Sequence, residues 1–160
     1  MENAGYKSTS PEESVAIARK LIKRGCRLEG VPGFFVNYQG DWEIAFYEKN
    51  RGYLCPVWSD EGLLVAFQIR LDDPFRKRKY VWLSSAKMEK GCSPGSPVSF
   101  SGVLNSPVIY VTEGVLKAEA AYQRTGHPYL GNPGVSAYKE LELALNRLKA
   151  HGVKVVIEAN

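Results

Sequence analysis

Glu113 stands where a carboxylate could do chemistry, after an apolar run and directly before Gly114. The run Val108–Val111 is typical of a buried strand, and Val115–Gln123 has the pattern of a helix. A carboxylate between a strand and a helix can hold Mg²⁺ or act as a general base, and the helix start favours phosphate oxygens nearby. An acid that only caps the helix explains the same residues, so both interpretations stay open on this motif alone.

A second candidate site lies between residues 68 and 90, where cations and aromatic residues stand close together. This stretch holds seven basic and three acidic residues, and its excess of four positive charges equals the net charge of the whole chain. Clustered cations beside aromatic residues are typical of surfaces that bind polyanions. Tyr80 and Trp82, two apart in a predicted strand, would share one face beside Lys79, as base stacking requires. A solvated basic hairpin is the alternative.

Composition excludes several other classes of function. Three cysteines at wide spacing, without a Cys-x-x-Cys pair, argue against a disulfide scaffold and a zinc ribbon, and they suit the reducing cytoplasm. The longest apolar run is only strand-sized, so no membrane association is expected. No glycine-rich dinucleotide or phosphate-loop motif is present.

The elements that must position these candidates divide the chain into three parts. We expect a flexible tail over residues 1–9 and a helix with a mainly antiparallel sheet over residues 10–105. Over residues 106–160 the order of apolar strands and helices is β-α-β-α-β, which predicts a parallel sheet with right-handed crossovers. The predicted fold class is therefore α/β, a small mixed sheet followed by an incomplete parallel βαβαβ unit.

The order of short motifs along the chain resembles the RNA-polymerase core of DnaG-type bacterial primases, in which a basic N-terminal subdomain precedes a Toprim domain. The resemblance covers roughly residues 15–160. It is closest to primase-like Toprim proteins of phages and mobile elements, on Thr112-Glu-Gly114 followed by Leu116-Lys-Ala118. The motifs that carry it, in chain order, are Arg51–Asp60, Gly62–Arg70, Lys79-Tyr80, Ser84-Ser85, Lys90-Gly91 and Glu113-Gly114.

The resemblance implies roles for particular residues. Glu113 matches the Toprim glutamate of acid/base and metal chemistry. Gly131 matches the glycine after the second Toprim strand, and Gly134 lies in the same loop. Gly114, from its own place before the helix, is expected to let the chain turn tightly and a ligand approach the backbone. The residues implied or proposed to line the nucleotide and template groove are Arg70, Arg76, Lys77, Arg78, Lys79, Tyr80 and Trp82.

The resemblance also implies a function, which is template-directed nucleotide transfer on single-stranded DNA with Mg²⁺ or Mn²⁺. Nucleoside triphosphates would be substrates, and a replicative helicase is a further implied partner. The family's metal-binding Asp-x-Asp pair would begin just past Asn160, after the strand Val153–Ile157. The 160-residue chain is therefore expected to be inactive and to hold no metal tightly. A non-catalytic nucleic-acid-binding module and a Toprim nuclease are the alternatives.

Overall fold

The computed structural model describes residues 7–75, 78–104, 106–134 and 137–159. The chain forms two compact units. The first consists of Met1–Pro56 with Ala66–Gly95, and the second of Val57–Val65 with Ser96–Asn160. No helix among the described residues is long and apolar enough to cross a membrane.

The first unit is built around a four-stranded sheet in the order β1-β4-β5-β6, in which β1 pairs with β4 and β5 with β6, both antiparallel. A separate antiparallel pair, β2-β3, accompanies a helix, α1. These elements are β1 (Lys7–Ser8), α1 (Ser14–Lys23), β2 (Phe34–Val36), β3 (Trp42–Ile44), β4 (Gly52–Trp58), β5 (Leu64–Phe75) and β6 (Arg78–Trp82).

The core of the first unit lies on one face of this sheet. Ile69 and Leu71 of β5 pack there with Leu83 and with the aromatic side chains Phe35 and Phe46. Because side chains alternate along a strand, the neighbouring residues of β5 and β6 point to the opposite face. The sheet therefore has a core face and a second face, here called the outer face.

Ser85 fixes the loop that follows β6. Its buried hydroxyl donates to the carbonyl of Phe34 at 2.7 Å and accepts from the N–H groups of Gly33 and Cys92, both at 3.2 Å. One side chain thus satisfies three backbone groups, one buried and two partly buried, and joins this loop to β2.

The second unit is a mixed four-stranded sheet in the order β10-β8-β9-β7. Strand β8 is parallel to both β10 and β9, and β7 is antiparallel to β9. The elements are β7 (Ser99–Ser101), β8 (Val108–Glu113), α2 (Val115–Thr125), β9 (Tyr129–Asn132), α3 (Tyr138–Ala150) and β10 (Val155–Glu158).

The two helices of this unit cover opposite faces of the sheet. The chain moves from β8 to its neighbour β9 in one direction and from β9 past β8 to β10 in the other. Right-handed crossovers in opposite directions place their helices on opposite faces. In agreement, Ala144 and Leu148 of α3 pack with Ile109, whereas α2 lies over Gly131 on the other face.

The structure confirms the α/β fold class, with a mainly antiparallel part followed by a parallel βαβαβ unit. Two boundaries differ from the expectation. Lys7 and Ser8 pair with β4 and Thr9 is buried, so the tail predicted over residues 1–9 is ordered at its end. The second unit contains Val57–Val65 and continues from Ser96 onward rather than starting after residue 105, in keeping with the pairing of β7 with β9.

Candidate active site and nucleic-acid interface

Glu113 ends β8 with its carboxylate in solvent, and 82% of its side chain is exposed. Its partner is Lys117, one turn along α2, whose Nζ lies 3.6 Å from Oε2. Gly114 occupies the N-cap of α2, and no side chain of the described residues accepts a hydrogen bond there. The interpretation of Glu113 as a helix-capping acid is therefore wrong, and the carboxylate is accessible to a ligand.

The topology places Glu113 beside a crevice. Because α2 and α3 leave the carboxyl ends of the adjacent strands β8 and β9 toward opposite faces, those ends flank a switch point, where α/β sheets bind ligands. The loops at the two ends are joined, since the N–H of Gly114 donates to the carbonyl of Asn132 at 2.7 Å. Asn132 is also the register partner of Glu113. Sequence reasoning missed Asn132, although its place after an apolar strand could have indicated it.

The three glycines predicted near phosphate have different local roles. Gly114 has φ of +90° and Gly134 has φ of +147°, backbone conformations that favour glycine at both turns. Gly131 instead lies inside β9, where an added Cβ would come within 2.9 Å of the carbonyl oxygen of Gly114 and 3.0 Å of the Cβ of Ala118. Gly131 therefore lets α2 pack closely against β9.

The described residues do not fit a divalent-metal site. Mg²⁺ prefers six oxygens in near-octahedral geometry. No group of three or more His, Cys, Asp or Glu side chains converges anywhere in the described ranges. At Glu113 the nearby charged group is the ammonium of Lys117, which competes with a cation. Additional carboxylates would be required before a metal could be held here.

The outer face of the antiparallel sheet carries most of the described residues of the predicted groove. Arg70 and Tyr80 are register partners on β5 and β6. Trp82 shares their face because it lies two residues beyond Tyr80, as its spacing predicts. Tyr53 of β4 lies on this face too, since the adjacent Leu54 packs into the core on the other. Arg70, Tyr53, Tyr80 and Trp82 are all half-buried.

Arg70 is held by an aromatic side chain. Its Nη1 donates to the Tyr80 hydroxyl at 3.1 Å, and its guanidinium carbon lies 5.6 Å from the centre of the Tyr80 ring. The hydrogen bond to Tyr80 raises the pKa of Arg70, which keeps it charged. Burial raises the pKa of Tyr53, and the charge of Arg70 offsets part of that rise. Neither of these neighbours is a carboxylate that could pair with the guanidinium.

Other arginines with described contacts differ from Arg70 in their partners. Arg19 pairs with Asp41 at 2.8 Å, Arg147 pairs with Asp60 at 3.2 Å, and Arg51 pairs with two glutamates. In each of these pairs a carboxylate already compensates the positive charge. Arg70 is the arginine whose described partners, a hydroxyl and a ring, leave its charge available to an anion.

The rest of the basic stretch is less closely grouped than the sequence indicated. Side chains along β6 point alternately to the two faces of the sheet. The exposed Arg78 therefore lies on the same face as Tyr80, and Lys79 lies on the opposite face. The predicted Lys79–Tyr80 pair is therefore separated by the sheet. Arg76 and Lys77 lie outside the described residues.

The thiol nearest to this face is not a nucleophile. Cys55 lies on β4 and is fully buried. Burial raises the pKa of its thiol to about 11, so it is protonated at neutral pH. Nucleophilic catalysis from this position is therefore disfavoured.

The chain is similar to known proteins in its three-dimensional structure. No protein-family model and no curated protein sequence matches the chain. The RNA polymerase domain of Mycobacterium tuberculosis primase DnaG, solved with double-stranded DNA, superimposes with a TM-score of 0.67 at 17% identity over 98% of this chain. The chain shares the fold of part of a primase RNA polymerase domain. This match spans 50% of the mycobacterial chain.

Two further primase structures share the fold. The Aquifex aeolicus primase, with its zinc-binding and RNA polymerase domains, gives a TM-score of 0.62 at 13% identity over 96% of this chain and 37% of its own. A DnaG primase catalytic domain bound to single-stranded DNA gives 0.53 at 16% identity over 98% and 49%. The chain thus spans half or less of the length of these primase structures.

Proposed function

We propose that this chain is the nucleic-acid-binding core of a primase-like nucleotidyltransferase that acts on single-stranded DNA. The observation that carries the proposal is the outer face, where the described partners of Arg70 are the hydroxyl and ring of Tyr80 rather than a carboxylate, on a fold shared with primase structures solved with DNA. Aromatic rings and free guanidinium groups bind single strands because every base has a π-face and every phosphate a charge.

In this proposal the outer face holds the strand. Arg70 contacts a phosphate, and Tyr80 holds its guanidinium in place through the hydroxyl. Trp82, on the same face, offers a ring for stacking, and Arg78 adds an exposed cation. Lys79, on the opposite face, would contribute only long-range attraction.

Glu113 is the proposed catalytic carboxylate, with nucleoside triphosphates as substrates. Its exposure, its place at the switch point and its position beside the start of α2 suit a site where phosphate chemistry occurs. The metal that the resemblance implies would neutralise phosphate charge when bound. Glu113 is the one described residue proposed to help hold it, and further acids are needed.

We also propose that the second unit is Toprim-like and that this chain is related to primase-like proteins of phages and mobile elements. Both proposals rest on the sequence Thr112-Glu-Gly114 at the strand end. Determining the sequence past Asn160 tests the Toprim assignment, since an Asp-x-Asp pair there would supply further carboxylates. A protein without such a pair would fit the non-catalytic binding module instead.

One assay separates the three candidate functions. A labelled single-stranded template is incubated with nucleoside triphosphates and Mg²⁺ or Mn²⁺, using this chain and any longer form that carries an Asp-x-Asp pair. Template-dependent products from the longer form support the primase-like enzyme. Binding without products supports the module, and cleavage of the template supports the nuclease.

A further inference from the structure

Helix α1 carries a concentration of positive charge that is separate from the outer face. Between residues 14 and 28 the chain has five basic and no acidic residues, an excess that exceeds the net charge of +4 for the whole chain. Ser14 and Ala18 are buried, whereas Lys20 and Lys23 in the last turn of α1 are exposed. Since Ile17 packs against the core of the first unit, the exposed side of α1 points away from the outer face.

The turn between β2 and β3 presents an aromatic ring to solvent. The Asn37 side chain accepts from the N–H groups of Gln39 and Asp41, both at 3.0 Å. The backbone of Asn37 donates to Asp41 at 2.8 Å and accepts from Gly40 at 2.9 Å. Tyr38 lies in this hydrogen-bonded turn and is 96% exposed. The turn thus holds an open ring that a planar group can stack on.

Two contacts place α1 alongside this turn. The Ser14 hydroxyl donates to the Glu43 carboxylate at 3.4 Å, and Arg19 pairs with Asp41 at 2.8 Å. The helix therefore runs beside β3 toward the turn. At 1.5 Å per residue, its last turn lies level with the residues between β2 and β3, so the two exposed lysines stand near the open ring.

A loop after β6 adds two further cations next to the same turn. The N–H of Val36, the residue directly before the turn, donates to the carbonyl of Glu89 at 2.9 Å. Lys87 and Lys90 belong to this loop and are exposed. The surface formed by Lys20, Lys23, Tyr38, Lys87 and Lys90 is here called the second basic surface.

The charge of the second basic surface is open to a ligand. No described carboxylate forms an ion pair with any of its four lysines. Asp41 is compensated by Arg19, and the carboxylate of Glu43 accepts from Ser14 and from Asn37. Glu89 is the exposed acid that remains beside the lysines. A polyanion that also carries flat rings is complementary to such a surface.

We propose that the second basic surface is a further contact for single-stranded nucleic acid. The inference rests on the proposed binding of single strands and adds a second place on the chain where a strand is held. Tyr38 stacks on a base and the lysines contact phosphates. Because this surface and the outer face point in opposite directions, they hold different segments of a strand.

The first test is fluorescence anisotropy of the 160-residue chain with labelled oligothymidylate across a salt series. Lys20→Gln/Lys23→Gln should weaken binding about tenfold and reduce the salt slope by about 1.4, since each phosphate contact on a single strand contributes about 0.7. Lys139→Gln/Lys149→Gln removes the same charge from exposed positions of α3 and should bind like the wild type. Circular dichroism and the unfolding midpoint show whether each variant is folded.

The ring distinguishes a nucleic acid from an acidic protein segment. Tyr38→Ser should weaken binding about fivefold or more without changing the unfolding midpoint, because the ring is in solvent. Tyr138→Ser, at a tyrosine of α3 that is 64% exposed, is the control and should have no effect. Unchanged binding in Tyr38→Ser, with polyglutamate competing as well as the oligonucleotide, would overturn the proposal in favour of an acidic protein partner.

Arg70→Gln in the same assay separates this inference from the proposed function. Weaker binding in Arg70→Gln, with wild-type binding in Lys20→Gln/Lys23→Gln and in Tyr38→Ser, would overturn the second basic surface and leave the outer face in place. The reverse pattern would support the second basic surface and contradict the outer face. Weaker binding in all three variants supports both surfaces, and a wild-type chain that binds no single strand would overturn both.

Discussion

The carboxyl edge of the parallel sheet and the outer face of the antiparallel sheet place their functional residues in different ways. At the carboxyl edge, strand order alone brings the residues together: Glu113 and Asn132 lie side by side because β8 and β9 are adjacent and parallel. On the outer face, Arg70 and Tyr80 meet only because β5 and β6 pair in one particular register. The first arrangement depends on strand order and the second on pairing between individual residues.

This difference explains which residues the sequence could identify. An acid after an apolar strand and before a glycine is a local pattern, so the sequence indicates Glu113 directly, and it predicts β8, α2 and β10 to within two residues of their ends. Register is not local. The sequence accordingly grouped Lys79 with Tyr80, although alternation along β6 separates them.

The short strands were missed for a related reason. Lys7–Ser8 and Ser99–Ser101 contain two and three residues and are mainly polar, so they show no periodicity. Each forms because a distant partner, β4 or β9, offers an open edge. The sequence did not indicate Tyr53, because the face of the sheet on which it lies depends on how β4 packs against the core.

The largest expected effect concerns the carboxyl edge. In a form of the protein that incorporates nucleotides, Glu113→Gln should lower the rate by about a hundredfold or more, because the amide cannot accept a proton or carry charge. Glu142→Gln, an exposed acid on α3, is the matched control and should have no effect. Initial rates on a single-stranded template provide the measurement. Full activity in Glu113→Gln would remove the catalytic assignment.

A second prediction concerns the support of the outer face. Ser85→Ala should lower the free energy of unfolding by about 1–3 kcal/mol, since it leaves the buried N–H of Gly33 and the partly buried groups of Phe34 and Cys92 without this partner. Ser84→Ala, next to it, should change the value by about 0.5 kcal/mol or less. Urea denaturation followed by circular dichroism measures both. Equal effects of the two variants would contradict the role given to Ser85.

The carboxyl edge has its own packing test. Gly131→Ala should lower the free energy of unfolding by about 1–3 kcal/mol, because the new Cβ presses on the Gly114 carbonyl and on Ala118. Lys139→Ala on the exposed start of α3 is the control, with an effect close to zero. Urea denaturation followed by circular dichroism measures the free energy of unfolding of both variants. A neutral Gly131→Ala would mean that α2 does not need this close approach.

The smallest effect concerns metal binding at Glu113. Calorimetric titration should give a dissociation constant for Mg²⁺ in the millimolar range or weaker, since one exposed carboxylate provides too few ligands. Lys117→Met removes the competing ammonium and should raise the affinity for Mn²⁺ only a few-fold, as exposed ion pairs are weak. Micromolar binding of Mg²⁺ by the wild-type chain would show that it contains metal-binding carboxylates besides Glu113, contrary to this account.

Binding of single-stranded DNA across a salt series tests the central claim most directly. Fluorescence anisotropy with labelled oligothymidylate should show affinity falling steeply with salt. Arg70→Gln should weaken binding about tenfold and reduce the salt slope by about 0.7. Arg19→Gln, which removes the same charge from an arginine paired with Asp41, should bind like the wild type. Equal affinity and salt slope in Arg70→Gln and wild type would contradict the assignment of the outer face as the nucleic-acid interface.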